Sequence, residues 1–196
     1  MREAIRPTKS PLAEIRGLMP HRPLTAAESF NVIERQAARL LLRTDITGPS
    51  VPVLTVAQLL PRVEVQTTPD LGSSGRTDWS GSKWIIQISG DEAPVRQRFT
   101  LAHELGHIVL HPNADTSLVP YGDVTAAQRL ERACDHFAAC LLMPKTWVKR
   151  AYCADGLQSV PDIARLFNVS YEAARIRLEQ LGHTSQTVRP LLRSAA

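Results

Sequence analysis

"RFTLAHELGHIVLHP", residues 98–112, sets three histidines and a glutamate into a largely apolar run. Pro94 near its start and Pro112 just past its end predict one helix across "DEAPVRQRFTLAHELGHIVLH". His103 and His107 are four residues apart, so on that helix they share a face and their ring nitrogens can converge on one ion. Glu104 stands beside them. The string is H-E-x-x-H, in which two imidazoles bind zinc and the carboxylate between them takes a proton from zinc-bound water. Polar groups sit in this apolar helix because a metal is to hold them.

Catalytic zinc takes three protein ligands and keeps a fourth position for water, so one more donor is required. One class supplies a histidine ten residues after the first and a glycine seven after it. Here those positions hold Asn113 and Leu110, which excludes that class. The other class takes a glutamate from a later helix, and "LERACDHFAACLLMP" offers Glu131, 24 residues past His107. Asp135, one turn beyond Glu131, is placed to accept the free N–H of a zinc-binding imidazole, although a plain surface carboxylate would look the same. Cys134 is the rival third ligand, against the ordinary reading of a small buried thiol. His111 continues the His107 face, but the helix dipole favours a histidine in a last turn without any metal, so we read it as structural. His136 points about 100° away from Asp135 on its helix and is read as no ligand.

With 196 residues and 43% hydrophobic content, the chain accommodates one ordinary domain and a small appendage. The net charge of +4 is spread along the sequence; it permits nucleic-acid contact without arguing for it. Cys134, Cys140 and Cys153 form no C-x-x-C pair, so neither a disulfide framework nor a cysteine zinc cluster is indicated, and a reducing compartment fits. The N-terminus lacks the apolar stretch of a signal peptide and no segment reaches the length of a membrane span, so a soluble, cytoplasmic protein is expected.

Residues 1–24 carry four prolines and no periodicity, and read as a tail or arm. "TAAE" then makes Thr25 a helix N-cap with Glu28 three residues on, and Phe30, Ile33, Ala37, Leu40 and Leu41 recur at helical spacing to about Thr44. "VLTVAQLL" (53–60) predicts a short helix. "VEVQTT" and "KWIIQIS", with "DLGSSG" and "SGS" as turns, predict a sheet of about three strands. The segment "KWIIQI" (83–88) is either an exposed strand along which an extended peptide can pair, or a buried central one. Residues 113–124 read as a loop, and a helix from about Ala126 to Leu142 stops at Met143-Pro144. "PDIARLFNVSYEAARIRLEQLG" reads as two helices broken at Asn168-Val169, with Ser170 as N-cap, a helix-turn-helix shape. Its Arg175 and Arg177 are offset by Glu172 and Glu179, so the net basic face of a groove reader is missing. The class is α+β. The expected divisions are an arm (1–24), a metal-binding domain (25–152), a helical extension (153–184) and a tail (185–196).

Three strings in order, "RQRFTLAHELGHIVLH", "ERACDHFAACLLMP" and "IARLFNVSYEAARIRLEQLG", resemble the ImmA/IrrE-type metallo-endopeptidases over about residues 25–183. The resemblance implies a thermolysin-like zinc peptidase core, found in bacteria and mobile elements, that relieves repression by cleaving a repressor with a helix-turn-helix domain. It implies His103 and His107 as zinc ligands, Glu104 as general base and Glu131 as the glutamate ligand, with Asp135 where many members have Asn or Asp. Ala133 departs from the pattern, since members often carry an acid there; were that acid the ligand, this chain would be impaired. For stabilising the tetrahedral oxyanion, Tyr121, Tyr171, Arg175 and His136 stay equally open. The rival readings are a regulator with a structural metal site that binds DNA or a partner through its C-terminal helices, and a toxin–antitoxin component.

Overall fold

A computed structural model describes residues 10–118 and 124–183. At its centre two long helices cross: α4 (Pro94–Leu110), which carries the H-E-x-x-H string, and α6 (Ala126–Leu142), which carries Glu131. Pro94 opens α4, where its missing N–H has no partner to lose. Thr125 caps α6 with a box completed by Gln128, and Met143-Pro144 ends it. The two helices approach closely because Gly106 has no side chain. A Cβ there would lie 3.1 Å from the Cα of Cys134 and 3.4 Å from its Sγ.

On the other side of α6 lies α2 (Ala26–Leu41), which buries Ile33, Ala37 and Leu40 as its periodicity predicts. Its capping box of Thr25 and Glu28 forms as read. The short α3 (Val53–Gln58) leads into a three-stranded sheet of β1 (Val63–Thr68), β2 (Gly75–Trp79) and β3 (Trp84–Ser89). Strand order is β1-β3-β2, with β3 parallel to β1 and antiparallel to β2. The central strand is therefore "WIIQIS", whose Ile86 and Ile88 are buried, and β2, an edge strand among the described residues, packs against α4. The exposed alternative for residues 83–88 is thereby excluded: both sides of that strand are already hydrogen-bonded.

Two further segments differ from expectation. Within the predicted arm, Pro11–Arg16 form a helix, α1, that buries Leu12 and Ile15, and Met19 and Leu24 follow them into the core. Short spacing between prolines hid this apolar set. The Arg16 guanidinium donates to the Ile108 carbonyl at 2.6 Å, so the segment docks on the end of α4. Residues 113–118 are not plain loop. A single 3-10 turn (His111–Asn113) runs into α5 (Ala114–Ser117), whose Ser117 donates to the Pro20 carbonyl at 2.5 Å. The last helices are α7 (Lys145–Cys153), α8 (Val160–Phe167) and α9 (Tyr171–Gln180). Asn168 turns α8 into α9 with a left-handed backbone, φ 52°, a conformation that asparagine tolerates well. No described helix is long and apolar enough to cross a membrane.

Candidate metal centre

Helical periodicity in α4 and the close α4–α6 crossing bring His103, His107 and Glu131 together. The Nε2 atoms of His103 and His107 are 3.1 Å apart. Glu131 reaches both, with its Oε2 3.2 Å from His103 and its Oε1 3.5 Å from His107. Facing ring nitrogens can share at most one hydrogen bond, whereas a cation between them satisfies both lone pairs. A tetrahedral zinc bound at ~2.1 Å would hold its donors ~3.4 Å apart, so the three separations suit such an ion. Asp135 sits behind, its Oδ1 2.8 Å from His103 Nδ1. With the proton on Nδ1 donated to Asp135, the His103 Nε2 lone pair faces the cluster.

Burial disfavours charge on His103, but the Asp135 carboxylate, with Glu104 and Glu131 beyond it, outweighs burial and raises its pKa above the usual value. Burial and then the neighbouring His103 lower the pKa of His107.

Glu104 is buried beside the pair and is held from the sheet. Thr77 Oγ1, on β2, donates to Glu104 Oε2 at 2.6 Å. Two residues earlier, a Cβ at Gly75 would come 2.5 Å from Thr100 Cγ2 and 3.0 Å from Glu104 Oε1, so the strand lies this close only as glycine. Neither residue was singled out in the sequence. Both lie on a strand 27 or more residues before Glu104, and no spacing rule reports that distance.

A cleft of about 450 Å³ opens over these residues, floored by α4 and bordered by β2, with Trp84 and His111 at one end and Arg96 and Phe99 at the other. His111, read as structural, lines this cleft and packs edge-on to Trp84 at 5.5 Å. Its position one turn after His107 was the available signal.

Cys134 Sγ lies within 4.8 Å of both imidazole donors. Burial, reinforced by Glu131, pushes its thiol well above the ordinary range. Ala133 is buried in the core. His136 points away from the cluster, as expected, toward the Phe30 carbonyl at 3.3 Å. Glu34, His136 and Cys140 also gather within 4.8 Å, but a cation is already there: the Arg177 guanidinium bonds Glu34 Oε1 at 2.5 Å. Of the oxyanion candidates, Tyr171, Arg175 and His136 do not line the cleft, and Tyr121 lies outside the described residues.

The sequence profile of the IrrE N-terminal-like domain, a peptidase family, matches residues 63–179. The chain belongs to that family. The match begins at β1 and ends in α9, so the IrrE-like domain contains the sheet, the cluster of His103, His107 and Glu131, and the C-terminal helices. Among curated relatives, the radiation response metalloprotease IrrE of Deinococcus radiodurans is 42% identical over 65 residues, 31% of this chain and 20% of that protein. The metallopeptidase ImmA of Bacillus subtilis is 29% identical over 122 residues, 61% of this chain and 71% of that one. A Mycobacterium tuberculosis transcriptional regulator matches with a TM-score of 0.61 at 17% identity, covering 94% of this chain and 54% of its own, a likeness of fold alone. This IrrE-like chain thus spans a fifth of the Deinococcus protein and about half of the Mycobacterium one.

Proposed function

We propose that this IrrE-like chain is a zinc-dependent endopeptidase with a thermolysin-like core that hydrolyses a peptide bond in a regulatory protein carrying a helix-turn-helix domain. The observation that carries this reading is the convergence of His103, His107 and Glu131 on one point, with the Glu104 carboxylate held alongside by Thr77. His103, His107 and Glu131 would hold the ion. When bound, zinc acidifies its water and polarises a carbonyl.

The chain's own groups do the rest. Glu104 accepts the proton of the attacking water and passes it to the leaving nitrogen. Asp135 fixes the ring orientation and tautomer of His103. As an edge strand among the described residues, β2 offers backbone N–H and C=O groups to an extended substrate lying over the cluster. The repressor as substrate rests on the resemblance to ImmA/IrrE-type peptidases.

The test is incubation of the zinc-loaded protein with a candidate helix-turn-helix repressor beside Glu104→Gln at equal metal content. Wild-type protein cuts the repressor and the variant does not. Equal cutting by both overturns the assigned role of Glu104, and no cutting by the metal-loaded wild type across candidate repressors overturns the substrate.

A further inference from the structure

Where the metal cleft ends at Arg96 and Phe99, an apolar groove of about 550 Å³ begins, sharing Arg96, Phe99 and Asp135 with the cleft. Its apolar lining comes from four helices: Phe30 of α2, Val95 and Phe99 of α4, Ala139 of α6, and Ala173 and Ile176 of α9. Phe30 and Ile176 are 41% and 40% exposed, so two large apolar side chains face solvent across one trough. A concavity of this size is in the range of ligand sites and takes a few large side chains.

Strand polarity says which part of a substrate would reach it. The edge strand β2 starts beside Ser74, whose hydroxyl accepts from Arg96 Nη2 at 3.2 Å, and runs to Trp79, which packs on Trp84 at 5.1 Å. The groove therefore lies at the N-terminal end of β2. A peptide pairing with β2 in the antiparallel sense, the more stable ladder, enters at the tryptophans and leaves at Arg96. Residues following the scissile bond arrive at Phe99.

The far wall is tied into the core. The buried Arg177 guanidinium ties α9 to the Met143 carbonyl at 3.1 Å and to Glu34. On the outer side Arg175 is paired with Glu172 at 2.6 Å and Glu179 at 2.5 Å. Both α9 arginines are thus engaged within the chain, which leaves them poorly placed for nucleic-acid phosphates.

We propose that this groove receives large apolar side chains from the leaving side of the cleaved bond, and that α9 acts as a substrate-docking wall. This rests on the peptidase reading above. Metal-chelating hydroxamate probes test it by binding alone. A hydroxamate on the N-terminal side of a Leu-Phe or Ser-Ser dipeptide anchors at the metal and directs the dipeptide downstream; one at the C-terminus directs it upstream. Calorimetric titration of the zinc-loaded full chain should show at least tenfold tighter binding of Leu-Phe than Ser-Ser in the downstream series only. Ile176→Arg should erase that difference while zinc content stays unchanged.

Equal affinities in the downstream series, a preference confined to the upstream series, or a preference that survives Ile176→Arg overturns the groove assignment. A dimer in sedimentation that Ile176→Arg dissociates also overturns it, by giving the groove to a second copy. Failure of every hydroxamate to bind removes the metal centre itself, and the groove assignment with it.

Discussion

Glu104 shows how much of a site depends on residues that carry no chemistry of their own. Its carboxylate is fixed by one hydroxyl, Thr77 at 2.6 Å, across a strand that must be glycine at position 75. Without that hydroxyl the carboxylate gains rotational freedom and is less often aligned with the proton it takes in the mechanism we propose. Thr77→Val should therefore lower kcat about tenfold, equivalent to ~1.4 kcal/mol of barrier, with KM and zinc content unchanged, and Thr77→Ser should restore it. Steady-state kinetics on a cleaved peptide decide the matter; a rise in KM alone would assign Thr77 to substrate binding. At this scale the i, i+4 histidines and the distant glutamate were legible, because a helix fixes side-chain direction every residue. Thr77 was not, because the contact is made by folding a strand over a helix.

Among elements, the capped helices were legible from their own residues, whereas the order of the strands was not. α2 carries its start signal in the sequence: the Thr25 hydroxyl accepts from the Glu28 N–H, and Glu28 Oε2 accepts from the Thr25 N–H at 2.9 Å. The Glu28 carboxyl is held down at about 2 by Arg22 first and by Thr25 next, against an ordinary value of 4.5. A carboxyl whose folded pKa is depressed contributes stability in full above its unfolded value, and that contribution is lost as pH falls through the window from 4.5 to 2. The fall in Tm across that window should be shallower in Glu28→Gln than in wild type, as measured by circular dichroism. Parallel slopes would show that the cap is not formed in solution. For the strands, "KWIIQI" left edge and centre open, since β-branched and aromatic residues suit either place. Pairing with β1 on one side and β2 on the other decided for the centre.

Across the described residues, long-range ties hold the first and last helices to the helices around the candidate site. Arg16 anchors α1 to the last turn of α4, and Arg177 anchors α9 to α2 and to the end of α6. The Arg177 side chain is 1% exposed and Glu34 25%, so removing the guanidinium strands a carboxylate and a carbonyl in a place that water reaches poorly. Arg177→Met should cost about 3 kcal/mol of stability, the lower end for breaking a buried pair, read from urea unfolding. A loss under ~0.5 kcal/mol would mean that packing alone holds α9. By itself the sequence determined the shared face of His103 and His107 and the capped starts of α2 and α6, because 3.6-residue periodicity and end capping act within a few residues. Strand order, the docking of residues 10–24, the Thr77 clamp and the groove against α9 were decided only in the tertiary structure. Each joins segments far apart in sequence, and their pairing is set by which surfaces the assembled core leaves open.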